Sequence, residues 1–260
     1  VVVAWQADGV LPAVDELNLV GAGILAGAVG TAGGITSLIS YPALLLVGIP
    51  ALSANVTNIV ALVVCWPGSA LTSRQELAGR GSWLLRWSPL AAAAGAAGAT
   101  LLLVTPSSAF ARIVPVLILL GALGLLAQPA LSLRLAGGQA ARRPILLAAG
   151  LTAVMIYNGY FGAGAGIMTL ALMLLTVDQH LPSANALKNM LVGAATITAA
   201  VIVALGGSVV WSAAAPLALG LLGGSMLGPI VARRVPAGLL RWLVSLSGIG
   251  LAIKLWISPG

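Results

Sequence analysis

The chain reads as an all-α integral membrane protein, a polytopic helical bundle of two inverted repeats, each with a Gly-interrupted short helix pair and three long spans. Three observations predict this: the composition, the length of the apolar runs and a recurrence between the halves. Hydrophobic residues make up 60% of the 260 positions and charged residues 7%, with a mean hydropathy of +1.11. A soluble domain carries roughly 25% charged residues. A bilayer removes the need to wet the outer surface and demands that backbone groups be satisfied internally. No run alternates apolar and polar residues over the roughly 10 positions of a barrel strand, so the spans are helices.

Ten apolar segments follow in order. The first half has 17–33, 35–48, 52–72, 83–104 and 109–131; the second has 144–161, 163–177, 183–206, 211–232 and 238–257. Residues 1–16 form an extracytoplasmic N-terminal segment, too short and too acidic (Asp8, Asp15, Glu16) for a complete signal peptide. Residues 17–133 form the first repeat, 134–143 a cytoplasmic linker with Arg134, Arg142 and Arg143, and 144–258 the second repeat.

The recurrence is specific. Ser53-Ala54-Asn55 returns as Ser183-Ala184-Asn185, each shortly after a proline (Pro50, Pro182). Each triplet follows two short segments split by a glycine cluster, Gly30-Thr31-Ala32-Gly33-Gly34 in one half and Gly162-Ala163-Gly164-Ala165-Gly166 in the other. At 1.5 Å per residue the short segments fall below a full span of about 20 residues. Each pair is therefore either a re-entrant hairpin or a broken pair crossing the membrane, with glycine permitting close approach and positive φ at the break.

Arginine placement sets the sidedness. Arg74, Arg80 and Arg86, the linker arginines, and Arg233, Arg234 and Arg241 all fall on one side if the N-terminus lies outside; Arg112 and Lys254 are exceptions. The net charge of +7 and pI of 10.8 thus reflect loops facing cytoplasm and anionic lipid, and nucleic acid is excluded as a partner. Cys65 is the single cysteine and His180 the single histidine. No disulfide or Cys-rich metal site is expected, and no cofactor.

Interrupted helices in an inverted repeat place a site near the midplane, where helix N-termini and freed N–H groups attract anions. The candidates are Thr31, Gly33, Gly34, Asn55 and Asn58 from the first half and Gly162, Gly164, Asn185, Lys188 and Asn189 from the second, with Thr36, Ser37, Thr57, Asn158 and Thr169 nearby. Asn55 and Asn185 occupy matching first turns; they either offer amide donors to an oxyanion or cap and bridge helices. Lys188 is the one Lys or Arg well inside a segment. It either neutralises an anion or carries a proton, or it snorkels to the interface toward Asp178. Tyr157, Tyr160 and Phe161 line a gate or simply pack. Trp83, Trp87, Trp211, Trp242 and Trp256 read as interfacial anchors. Gly21/Gly27, Gly95/Gly98 and Gly220/Gly223/Gly224 read as close helix contacts.

The run Gly27-Ala-Val-Gly30-Thr-Ala-Gly33-Gly34, then Tyr41-Pro42-Ala-Leu-Leu-Leu-Val-Gly48-Ile-Pro50 and Ala54 resembles the TauE/SafE sulfite exporter family of membrane permeases. A weaker copy follows in Gly162-Ala-Gly164-Ala-Gly166 and Pro182-Ser-Ala184-Asn185. Ile35 stands where that family commonly has a third consecutive glycine, and the second half lacks a counterpart of Pro42. The resemblance implies a secondary transporter, by alternating access, exporting small sulfur-containing anions such as sulfite, sulfoacetate or other organosulfonates, coupled to an ion such as the proton. It implies a bacterial cell (inner) membrane. Rival readings are a passive anion channel on the same fold and an accessory, non-transporting membrane subunit. An enzyme is not expected, because one His, one Cys, Glu76 and Asp178 assemble no catalytic dyad.

Overall fold

The computed structural model describes residues 11–136, 144–234 and 237–257, without the side chains of 31–33, 72, 128–129, 131–136, 227–234, 237–241, 243–244 and 247. The N-terminal residues 1–10 and most of the 134–143 linker thus lie outside the described residues, as do the side chains of Arg134, Arg233, Arg234 and Arg241. Regular structure among the described residues is entirely helical. The helices are α1 (Ala13–Gly33), α2 (Thr36–Leu46), α3 (Ala51–Ala61), α4 (Cys65–Thr72), α5 (Arg74–Leu77), α6 (Gly81–Val104), α7 (Ser107–Ala136), α8 (Pro144–Tyr160), α9 (Ala165–Thr176), α10 (Leu181–Gly206), α11 (Trp211–Arg234) and α12 (Ala237–Ile257).

Two boundaries differ from the sequence reading. The first helix begins at Ala13, which makes α1 a 21-residue helix rather than a short segment. The third segment is not continuous: α3 ends at Ala61, and a 3-10 turn over Leu62–Val64 joins it to α4. Pro67 explains the break. Its ring cannot donate and crowds the carbonyl four residues earlier, that of Val63. By contrast α10 has its only proline in its first turn, where the missing N–H is harmless, and runs unbroken for 26 residues.

The short pairs are hairpins. Arg80, just before α6, is ion-paired with Asp178, just after α9. Trp83 of α6, Pro144 at the start of α8 and Val177 line one cleft. The start of α8 and the end of α9 therefore lie together, at the end of the bundle where α6 and α10 begin. The α1–α2 pair opens at the other end. The Val210 N–H, just past α10, donates to the Thr57 hydroxyl of α3 (3.0 Å). A Cβ on Gly220 would lie 2.2 Å from the Val20 carbonyl oxygen and one on Gly224 2.2 Å from that of Ile24, which sets α1 alongside α11 in parallel. At 12 residues α9 extends only about 18 Å, well short of the roughly 30 Å hydrocarbon core.

Glycine makes the long contacts close. Gly23 and Gly27 meet Gly220 and Gly224 between α1 and α11, and Gly98 meets Ile156 while Gly159 meets Gly95 between α6 and α8, each with backbone where a Cβ would go; Gly95 itself turns its missing Cβ toward Ala195 of α10. Gly21 and Gly223 instead face open space, so the expected small-residue seam on α1 is displaced to Gly23. Without a hydrophobic drive between helices in lipid, such backbone proximity supplies the packing. Around the second break, Tyr41, Phe110, Tyr160 and Phe161 form an edge-packed cluster, with Tyr41 and Phe161 centroids 5.2 Å apart.

Candidate functional site

The tips of the two hairpins touch. A Cβ on Gly34 would lie 2.8 Å from the Gly166 carbonyl carbon, and one on Gly166 would lie 2.6 Å from the Gly34 Cα. Gly34, Gly162 and Gly164 hold φ of 73°, 79° and 80°, a region side chains disfavour by about 1–2 kcal/mol. Glycine is required here twice over, for the turn and for the approach.

Beside this contact lies a cavity of ≈ 90 Å³, bounded by both hairpin tips, the α3–α4 break and the middle of α10. By volume it admits a few waters or one small ion. Gly30, Gly34, Thr36 and Ser37 face it from the first hairpin, and Asn158, Gly162 and Gly166 from the second. Lys188, Asn189, Val192, Gly193 and Thr196 face it from α10, and Cys65, Trp66 and Ser69 from α4. Thr36 and Ser37 are in the first turn of α2, and Gly166 in that of α9. First-turn amides have no acceptor within their own helix, and both helix dipoles present their positive ends.

Lys188 is the one charged residue among those lining the cavity. It is 2% exposed, and its Nζ has no hydrogen-bond partner among the described residues. The interfacial alternative is thereby replaced: Asp178 is engaged by Arg80, Ser183 and His180 instead. A shared spacing in the chain sets Asn58 and Lys188 side by side for comparison. Asn55 and Asn185 are 130 positions apart, as are Asn58 and Lys188. Asn58 is held by α2, accepting from the Ser40 hydroxyl (2.6 Å) and donating to that of Ser37 (3.3 Å). At the same spacing α9 offers Ile167 and Leu170, so the ammonium has nothing to bond on its own hairpin and is presented to the cavity.

The remaining sequence candidates fall in distinct places. Gly34, Gly162, Lys188 and Asn189 face the cavity. Asn58 is behind Ser37 and orients it. Asn55 is fully buried away from the cavity, and its amide donates to the Tyr160 carbonyl at the end of α8 (2.8 Å), a bridge between the halves. Asn185 is outside the lining, with a buried Oδ1 lacking a partner. Gly164 packs against Gly121 of α7. For Thr31 and Gly33 only the backbone within α1 is described. Thr57 holds the Val210 N–H, and Thr169 bonds the Ala165 carbonyl (2.7 Å). Tyr157 donates to the Ala163 carbonyl (2.6 Å), stapling the second tip.

Several lining residues escaped the sequence reading, namely Ser69, Trp66, Gly193 and Thr196. For α10 a signal existed: Lys188, Val192 and Thr196 recur every four positions, and Asn189 and Gly193 do likewise, which places all five on one helical stripe. Thr196 also accepts from the Asn158 amide (3.1 Å), tying α10 to α8.

Five helical stretches among the described residues, 13–30, 51–71, 81–104, 107–127 and 181–206, are long and apolar enough to cross a membrane. The chain is therefore a multi-pass α-helical membrane protein with a small polar cavity, lined by the buried Lys188, where the tips of two hairpins meet. Residues 19–255, nearly the whole length, match the family described as Sulfite exporter TauE/SafE, and the chain belongs to that family of membrane transporters. No curated protein and no solved structure matches the chain.

Proposed function

We propose that this protein is a secondary transporter that exports a small sulfur oxyanion, sulfite or a short organosulfonate such as sulfoacetate, through the cavity at the hairpin tips. The observation that carries this reading is Lys188, a buried ammonium without a partner in a polar cavity that holds no acidic side chain. An unpaired buried charge is costly, and an anion seated between it and the α2 and α9 N-termini relieves that cost. The hydroxyls of Thr36, Ser37 and Thr196 and the amides of Asn158 and Asn189 complete a donor-rich surround.

The two hairpins opening at opposite ends support an inverted-repeat architecture, with residues 17–133 and 144–258 as its halves and the N-terminus outside the cell (inner) membrane. In this reading one half rocks against the other about the Gly34–Gly166 contact, alternately exposing the cavity. A proton is the coupling ion, moving with or against the anion. Flux of sulfite into proteoliposomes is the test. Saturable flux that responds to an imposed pH gradient is the expected result; flux no greater than in empty vesicles overturns the reading, and flux linear in concentration without pH response assigns a passive channel.

A further inference from the structure

A second cleft, distinct from the transport cavity, lies at the end of the bundle where α6, α8 and α10 begin. It has a volume of ≈ 490 Å³ and is lined by Arg80, Trp83, Arg86 and Trp87 from the first half and by Leu147 and Val177 from the second. Its chemistry is layered. Arg86 is exposed, with its guanidinium carbon 5.8 Å from the Trp87 ring. Trp83 and Trp87 tilt together at 6.2 Å, and Leu147 forms a buried apolar floor. Asp178 is already taken up by Arg80, Ser183 and His180, and Arg86 has no acidic partner among the described residues. Two helices, α6 and α8, begin at the cleft and add their positive ends.

A cationic mouth over indole rings and an apolar floor, at a membrane-facing end, matches one amphipathic ligand. We propose that this cleft binds the phosphate headgroup of an anionic phospholipid, with Arg86 at the phosphate, Arg80 held beside it by Asp178, and the glycerol and proximal acyl chain along Trp83, Trp87 and Leu147. Basic pockets between transmembrane helices on the cytoplasmic side favour such headgroups over zwitterionic ones. Because the cleft joins α6 of one half to α8 and the end of α9 of the other, a lipid there spans both halves.

The test uses the full chain in detergent, titrated with phosphatidylglycerol, cardiolipin or phosphatidylcholine and read by native mass spectrometry, with Trp quenching by brominated phosphatidylglycerol as a second readout. The expected result is retention of one anionic lipid in preference to phosphatidylcholine. Arg86→Gln should weaken it about fivefold, the equivalent of about 1 kcal/mol for one arginine at an anionic lipid surface, and Lys254→Gln should leave it unchanged. Trp83→Phe with Trp87→Phe should remove the quenching while the lipid stays bound. Equal retention of phosphatidylcholine, or Arg86→Gln binding like the parent, overturns the proposal. So does displacement of the lipid by millimolar inorganic phosphate that itself binds, since that identifies a free-anion site.

Discussion

Replacing Lys188 with Met separates a substrate-binding ammonium from a structural one, because the two roles predict opposite signs. Met keeps the unbranched length and removes the charge. The Nζ is buried and has no partner among the described residues, so without substrate Lys188 opposes folding. Exchanging buried ionic groups for apolar ones of similar volume stabilises by about 1–4 kcal/mol, and a gain of about 1 kcal/mol moves Tm by about 2–4 °C for a 150–250-residue domain. Lys188→Met should therefore melt at least about 2 °C higher in the absence of sulfite. Binding should move the other way. A hydrogen bond to a charged group contributes about 1.5–3 kcal/mol, which corresponds to a roughly 10- to 150-fold rise in Kd. The seven tryptophans allow both to be read by intrinsic fluorescence during thermal melts with and without sulfite. A lower Tm together with an unchanged sulfite Kd would refute the reasoning, because it would mean that the ammonium supports the fold and not the anion.

Gly166→Ala places a methyl group within 3 Å of the Gly34 backbone and should cost about 1–3 kcal/mol by overpacking; Gly34→Ala should cost more, since it adds a left-handed φ, while Gly21→Ala, facing open space, should melt like the parent. Gly193→Ala sets a Cβ 1.7 Å from Trp66 Cδ1, so it should displace the indole and reduce sulfite flux, and adding Trp66→Ala should restore flux in the same vesicles. Partial burial pushes the Asp178 carboxyl up, but the His180 N–H, the Ser183 hydroxyl, the His180 ring and the Arg80 guanidinium outweigh it and hold it below its ordinary value. A folded-state pKa below the unfolded one means this stabilisation is complete above about pH 4 and is lost as pH falls through the folded value. Thermal melts should show the parent losing an advantage over Asp178→Asn as pH falls below about 4.

Much of the site was legible at the level of which segments carry it. The glycine clusters at 30–34 and 162–166 and the isolated Lys188 stand out because spans otherwise avoid such residues. Asn55 shows the limit. Its matching position to Asn185 is visible in the chain, but whether its amide faces a solute or the Tyr160 carbonyl depends on where α8 ends in space, and that lies 105 residues away. Pro67 carried a readable break signal inside an apolar run whose hydropathy concealed it.

Sequence by itself determined that the chain resides in lipid and is helical, because apolar runs of span length with so few charges have no other way to satisfy their backbone. It also marked places where helices can break, since glycine and proline act on their own backbone and immediate neighbours, although α2 and α6 run through Pro42 and Pro89. The tertiary structure decided what those breaks do. The Gly34–Gly166 contact, the solitude of Lys188 and the cleft beneath Arg86 each depend on elements distant in the chain, and only packing determines which of them meet.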